Sequence, residues 1–522
     1  MTHTDPGGHG LRTVPERWLG VALGVAVFAA FFFNLHGFPL FDLDEGAFSE
    51  ATRDMLARGD YIATYLYGEP RYDKPILIYW LQAASVSLFG LNEFALRLPS
   101  ALAATGWMLA LYAFAARVCD RRTGLLAAII GATTLEVGVI GKAAIADALL
   151  NLMIAASLFS IYLHYHDGRR RWIYAAFLCM GLGFLTKGPV AVAIPFVTSL
   201  LFFAFKGRIR DWLRAVFNPP GIALFLLIVL PWYLAITVRE GPGFLLGFLL
   251  EHNLGRFREP MEGHSGPIFY YLPVLLIGTL PWTAILIAAL WRARGQLRDD
   301  LALFLLIWFG FTFVLFSLAA TKLPHYLLYG MTPLFILMAL ELPRMRSAFW
   351  SALPAALFFA FMLAFPAIVA AIKPTVRDPF TVALLTDVDR HFGVLWYGGF
   401  GIALAVSLWF MFERRIHTAW RMIALGVLVT VGVTGLLLPT VAAVQQGPVR
   451  DAGMAARDRP ETVVMWGLNN PSFNVYADRH VERREPRPGE VAVTRFNRLD
   501  PGVDYEVLFE RNGVMLVKVA EE

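Results

Sequence analysis

Long apolar stretches recur along the chain from Trp18 to about Pro439, separated by short polar connections. Each is long enough to cross roughly 30 Å of hydrocarbon, where the backbone must satisfy its hydrogen bonds within the segment, so the pattern predicts membrane-spanning helices. The predicted spans lie near 18–38, 98–116, 123–141, 147–165, 172–187, 189–205, 220–238, 267–291, 301–320, 325–342, 348–372, 392–412 and 420–439, thirteen in all. One further apolar run, Pro75 to Gly90 (PILIYWLQAASVSLFG), is short and rich in interfacial aromatics. It is read as a helix lying at the membrane surface. After Pro439 the pattern becomes polar, with short β-like runs ETVVMW (461–466), YEVLF (505–509) and GVMLVKV (513–519). Residues 1–440 are thus expected to form a transmembrane domain and 441–522 a small soluble α/β domain. The fold class is an all-α polytopic membrane protein with that C-terminal addition.

Composition agrees: 57% of the residues are hydrophobic and 16% charged, too few charges for a water-facing globule of this length. The net charge of +5 does not indicate nucleic acid, because the basic residues fall in short clusters between apolar runs. The clusters are Arg12 with Arg17; Arg117, Arg121 and Arg122; Arg169 to Arg171; Lys206 to Arg214; Arg292 to Arg298; Arg344 with Arg346; and Arg414 to Arg421. Putting all of them in the cytoplasm is what selects thirteen spans, with the N-terminus inside and the C-terminal domain outside. The first apolar run is too long for a signal-peptide core and is expected to stay as an anchor. Cys119 and Cys179 offer neither a disulfide framework nor a cysteine metal site.

The first outer loop, 38–97, is the longest between spans, and its first part, 38–75, holds eight acidic residues against four basic. It opens with FDLDEGAFSEATRDML (41–56), placing Asp42, Asp44 and Glu45 directly after the first span. Carboxylates beside lipid invite a functional reading, and acidic residues at a helix N-terminus a structural one; both stand. In RYDKPILIYW (71–80), Lys74 can hold a lipid phosphate or merely anchor the helix that follows, with Tyr72 and Asp73 beside it. GKAAIADALLNL (141–152) puts Lys142 and Asp147 at the outer boundary, as do TKGP (186–189), EHNLGRFREP (251–260) and TKLPHYLLY (321–329) for other charged groups. An anionic ligand would explain Lys187 and Lys322 on a face where cations are disfavoured; so would ordinary exceptions to that bias. His252, His264 and His325 form no close ligand pair, and neither a glycine-rich phosphate loop nor a nucleophile elbow is present.

FDLDEG, then RYDKPILIYWLQ, then NEFALRLPSAL (92–102), then Asp147 at a span start, together resemble the GT-C membrane glycosyltransferases of the protein O-mannosyltransferase and aminoarabinose lipid A transferase (ArnT-like) superfamily. The resemblance covers the N-terminal half best and is thinner over EHNLGRF and TKLPHYLLY. It implies a sugar donor carried on polyprenyl (undecaprenyl) phosphate and a lipid A, other glycolipid, glycan or protein acceptor at the periplasmic face of the bacterial inner membrane. It makes Asp44 and Asp147 catalytic acids. It assigns the donor phosphate to Lys74, with Arg256, Tyr326 and Lys322 in the same cavity, and leaves Glu45, Tyr72 and His252 as further site candidates. No cofactor is obligatory under this reading; a divalent metal on Asp73 and His252 is possible in such enzymes, although glutamate is more familiar than Asp73 there. The outer compartment lacks nucleotide sugars, so a lipid-borne donor is chemically apt, and one displacement would invert the anomeric centre. The rival is a transporter or flippase, which would place ionisable residues near the bilayer midplane rather than at its boundary.

Overall fold

The computed structural model describes residues 15–248, 255, 265–413, 415–499, 502 and 504–520. Among them, seven helices are long and apolar enough to span: Glu93–Val118, Asp147–Asp167, Pro219–Glu240, Asp300–Leu318, Ala348–Thr375, Val394–Phe412 and Thr418–Gln445. Two more candidates are bent pairs, Tyr271–Gly278 with Thr283–Ala293 at 117° and Pro324–Gly330 with Thr332–Arg344 at 64°. These nine coincide with nine of the thirteen predicted spans. The other four predicted spans are occupied by helices that stop short of that length. In chain order, α1 (Glu16–Val27) runs into a π turn, Phe28–Phe32. α2 (Asp44–Arg58), α3 (Leu77–Phe89) and α4 (Glu93–Val118) follow, and α5 (Arg121–Ala132) is separated from α6 (Leu135–Ile140) by two threonines. α7 (Asp147–Asp167) leads to α8 (Arg171–Lys187, 17 residues) and α9 (Val190–Phe205, 16 residues). At the first and third predicted spans hydropathy sees one apolar run where the backbone breaks its helix, and at 172–187 and 189–205 a single helix falls one or two residues short of spanning length.

Local signals set the helix ends. The Asn92 side chain accepts from the Ala95 amide at 2.9 Å and Asp120 from the Thr123 amide at 2.9 Å, capping α4 and α5. Gly59 and Gly168, at φ 65° and 70°, end α2 and α7 in the left-handed conformation that glycine adopts without cost from a Cβ. α3 has 13 residues, about 20 Å at 1.5 Å per residue, too short to cross. It buries Ile78, Tyr79, Gln82, Ala83 and Val86 and packs against α2 and α4, in keeping with a non-spanning helix.

The core is one continuous apolar cluster through the helices, in which α4 packs on α5 and α7, and α7 on α8 and α9. At one end of the bundle the basic clusters gather. Arg121 lies 3.6 Å from Glu16, Arg117 3.1 Å from Asp167, Lys206 2.5 Å from Asp300 and Arg292 2.6 Å from Glu341.

At the other end sits the C-terminal sheet. β1 (Tyr65–Leu66) and β2 (Glu69–Pro70) form a separate small hairpin in the first loop. The main sheet has five strands, β3 (Val463–Met465), β4 (Glu482–Arg483), β5 (Val491–Arg495), β6 (Tyr505–Arg511) and β7 (Val514–Val519), in the order β4-β3-β5-β7-β6. β3 runs parallel to β4 and β5, while β7 pairs antiparallel with β5 and β6. Asn512 and Gly513, both at positive φ, make the β6–β7 turn, the dipeptide that such tight hairpins favour. Val463, Met465, Val491, Val493 and Leu516 pack on helix Gly447–Ala456 and on Phe473, while Val464, Ala492 and Val517 fill the opposite face.

Candidate active site

FDLDEG divides into four structural roles. Asp42 turns to the C-terminal unit, where it accepts from the Ser472 amide at 3.0 Å, the Ser472 hydroxyl at 2.5 Å and the Asn470 amide at 3.0 Å. Gly46 makes this approach possible, since a Cβ there would meet Asp42 Oδ1 at 1.8 Å and the Ser472 nitrogen at 2.8 Å. Glu45 turns inward to a two-pronged pair with Arg97 at 2.8 and 2.7 Å, and also accepts from the Phe41 and Ala144 amides. Arg97 uses its remaining donors on the Leu35, Phe38 and Pro39 carbonyls. Burial pushes the Glu45 carboxyl up, and the Arg97 charge and hydrogen bonds overcome that, so it stays below its usual value. Asp44 is the carboxylate of the three that remains exposed, at the start of α2 and on the wall of a cavity of about 240 Å³ that Phe41, Lys142 and Ile145 also line.

A second cluster is assembled from three distant segments. Asp147 opens α7, Lys187 closes α8, and His325, Tyr326 and Tyr329 lie on the 3-10 turn Pro324–Gly330. Asp147 Oδ1 accepts from Lys187 Nζ at 2.7 Å and from Tyr329 Oη at 2.5 Å, with His325 Nε2 at 3.8 Å. Lys187 also donates to Tyr329 Oη at 2.8 Å, and its ammonium sits 5.4 Å from the centroid of the Tyr326 ring. Of the charges that bear on His325, those of Asp147 and Lys187 act most strongly, with smaller contributions from Asp44 and Lys74 of the first loop.

Lys74 donates to the Asp73 carbonyl at 3.1 Å, and Arg71 lies 3.4 Å from the Asp73 carboxylate. Tyr72 donates to Glu240 at 3.3 Å and packs edge-on against Phe244. Lys322 is occupied elsewhere: its ammonium donates to the Ser317 and Ala319 carbonyls, both at 2.8 Å, closing the end of helix Asp300–Leu318. Arg256 and His252 lie outside the described residues. Among the described residues no group of three His, Cys, Asp or Glu side chains is placed to hold a metal. Sequence weighs His325 only as a metal ligand and Lys187 only as a cation that an anionic ligand would explain, and it does not single out Tyr329 or the structural partner Arg97. Their signals are the TKGP and TKLPHYLLY segments and, for Arg97, NEFALRLPSAL.

A profile of the family described as dolichyl-phosphate-mannose-protein mannosyltransferase matches residues 73–234, the stretch that contains Lys74, Asp147 and Lys187. The crystal structure of ArnT from Cupriavidus metallidurans bound to undecaprenyl phosphate superposes with a TM-score of 0.81 at 21% identity, over 97% of this chain and 98% of that one. The chain has the ArnT fold. The apo form of the same ArnT gives 0.77 at 22% identity, over 96% and 97% of the two chains. In sequence, the undecaprenyl phosphate-alpha-4-amino-4-deoxy-L-arabinose arabinosyl transferases of Yersinia enterocolitica and Yersinia pestis are each 36% identical over 329 residues, 60% of this chain. The chain spans 58% of the length of those relatives. The resemblance first drawn from FDLDEG, RYDKP and RLPS is therefore borne out in fold by ArnT and in sequence by ArnT-named relatives. Multi-pass membrane architecture follows from the same fold.

Proposed function

We propose that the chain is a glycosyltransferase that moves a sugar from a polyprenyl phosphate to a lipid, glycan or protein acceptor. The observation that carries this reading is the cluster of Asp147, Lys187, Tyr329 and His325, with Asp44 and Lys74 of the first loop among the charges that bear on His325. The names of the relatives make undecaprenyl phosphate and 4-amino-4-deoxy-L-arabinose the first donor to try.

The chemistry needs a cationic cradle for a leaving phosphate and a carboxylate near the attacking atom. Lys74 and Lys187 supply the cations, and they stabilise charge that grows on the phosphate as its bond to the anomeric carbon breaks. Asp44, the exposed carboxylate, orients the acceptor and takes its proton if the acceptor is a hydroxyl. A new bond from acceptor oxygen to the anomeric carbon forms as the old carbon–oxygen bond breaks, and the carrier leaves as polyprenyl phosphate. One displacement inverts the anomeric centre. Asp147, already accepting from Lys187 and Tyr329, is suited to holding that lysine in place rather than to accepting a substrate proton.

A separate cavity of about 730 Å³ lies between the β1–β2 hairpin and β4, lined by Arg71, Asp73, His480 and Arg483, and offers room for an acceptor. Asp147 and Lys187 stand at helix ends, which favours the transferase over a transporter with midplane charges. The gathering of basic clusters at the far end supports a cytoplasmic location for that end and a periplasmic one for residues 441–522.

Proteoliposomes holding the full chain, the aminoarabinose donor and lipid A test the proposal, with the products read by mass spectrometry. Wild type is expected to form glycosylated acceptor, while D44N binds donor without transferring it. Absence of product from any polyprenyl phosphate sugar, or normal turnover by D44N, would sink the reading or the assignment of Asp44.

A further inference from the structure

A different set of charges collects at the end of the bundle away from Asp147. Helix Thr332–Glu341 leads there from the Tyr329 turn, and beyond it lies a cavity of about 1080 Å³. Arg292, Arg344, Arg346, His417 and Arg421 line it, and no acidic residue does so among the described residues. Glu341 answers part of this charge from behind, 2.6 Å from Arg292 and 3.8 Å from Arg344.

Two helix N-termini open onto the same space. Ser347 caps Ala348–Ile372 by accepting from the Trp350 amide at 3.2 Å, and His417 caps Thr418–Gly432 through its Nδ1, 3.2 Å from the Ala419 amide. Each adds the partial positive charge of a helix start. The positive charge of this wall continues into the buried layer behind it. Arg421 is buried, 5% exposed, and spends its terminal nitrogens on the Phe410 and Glu413 carbonyls and the Thr418 hydroxyl. Its Nε and that of Arg122 are closed off from the cavity and unpaired, so neither guanidinium is neutralised there by an acidic side chain. Burial, with the charges of Arg122 and Arg421 next to it, holds His417 below its ordinary value, as expected where positive charge is under-compensated.

The apolar part of the wall decides the kind of anion. Phe349 and Phe412 line the cavity with ring centroids 6.4 Å apart, and both are exposed. Free phosphate has no use for such a wall, whereas a lipid has its phosphate and its chains at that separation in depth. We propose that this cavity is a binding site for the phosphate headgroup of an anionic phospholipid, whose acyl chains lie along Phe349 and Phe412. The site is separate from the Asp147–Lys187 cluster and would tie the orientation of the bundle to the lipid of the opposite leaflet.

The full chain in nanodiscs of phosphatidylcholine containing phosphatidylglycerol provides the test, with retained lipid counted by native mass spectrometry. Wild type is expected to retain phosphatidylglycerol in preference to phosphatidylcholine, and R344A/R346A about tenfold less of it. R344K/R346K, which keeps the charge, should recover most of the retention. R170A/R171A, which removes two charges from the same end but outside the cavity, should not change it. Should R344A/R346A fail to fold, R346A alone alters only an exposed side chain and carries the same expectation in smaller degree. Unchanged retention in the cavity variants, or an equal loss in R170A/R171A, overturns the site. Displacement of phosphatidylglycerol by inorganic phosphate alone overturns the lipid assignment.

Discussion

Glu45 with Arg97 and Asp147 with Lys187 are both buried ion pairs whose closest contact is 2.7 Å, and they differ in what surrounds them. Around Glu45 every partner is fixed backbone or a rigid guanidinium fork, and Arg97 is wholly buried. Around Asp147 the partners are a flexible ammonium, a phenol and an imidazole, and Lys187 keeps 11% of its side chain exposed. Guanidinium matches carboxylate geometry and leaves no donor over; a lysine ammonium is a compact charge that can exchange one oxygen for another. The first pair therefore holds the loop between α1 and α2 against α4. The second, under the proposed function, is the pair that an incoming anion would share.

The largest effect that would break this contrast is at Arg97. R97A leaves Glu45 buried and uncompensated, a loss of about 3–5 kcal/mol, seen as collapse of the thermal melt of purified protein. A near-normal melt would mean that the first pair is no more structural than the second. At the other pair both charges can be removed together, so no lone buried ion remains. D147N/K187M is expected to keep the fold while transfer falls on the order of a hundred- to a thousandfold, measured on folded protein in proteoliposomes. Equal loss of melt and activity would make this pair structural too.

Lysine at the two ends of the candidate site sharpens the comparison further. K74A should weaken polyprenyl phosphate binding about ten- to a hundredfold, the cost of one charge-assisted contact in a partly desolvated site. K322A removes a helix-end contact and should lower stability with carrier affinity unchanged. Reversal of these two outcomes, read by binding titration, would move the donor phosphate to Lys322.

The smallest effect concerns Asp42, a carboxylate held by neutral donors without a cation. Burial pushes it from an ordinary 3.8 up to about 6, outweighing the hydrogen bonds from Ser472 and Asn470. The folded chain thus binds this proton more tightly than the unfolded chain. Its contribution to stability is full below about pH 4 and is lost as pH rises through 6. D42N should abolish that component, so its stability relative to wild type improves between pH 4 and 6 in melts across that range. A constant difference would show that Asp42 does not titrate there.

How much of this could be read along the chain depends on the range of the interaction. Nine predicted spans coincide with helices or bent pairs of spanning length, because apolar length and helix formation are properties of contiguous residues. Asp44, Lys74 and Asp147 were drawn from local motifs, and of the three Asp147 lies 3.8 Å from His325. Breaks such as Thr133–Thr134 between α5 and α6 were invisible, since two threonines hardly alter mean hydropathy. Nor could spacing tell Lys187 from Lys322, both lone cations on an outer connection; one ends beside Asp147 and the other on its own helix carbonyls.

By itself the sequence determined a helical membrane protein with a polar C-terminal sheet and an acidic first loop, because periodicity, apolar length and turn chemistry act over a few residues. Only the tertiary structure decided which carboxylate of FDLDEG is structural and which is exposed. That division depends on Arg97, 52 positions from Glu45, and on Ser472, 430 positions from Asp42. A side chain's role is set by the partner that neutralises or hydrogen-bonds it, and here those partners arrive from other helices and from the far end of the chain.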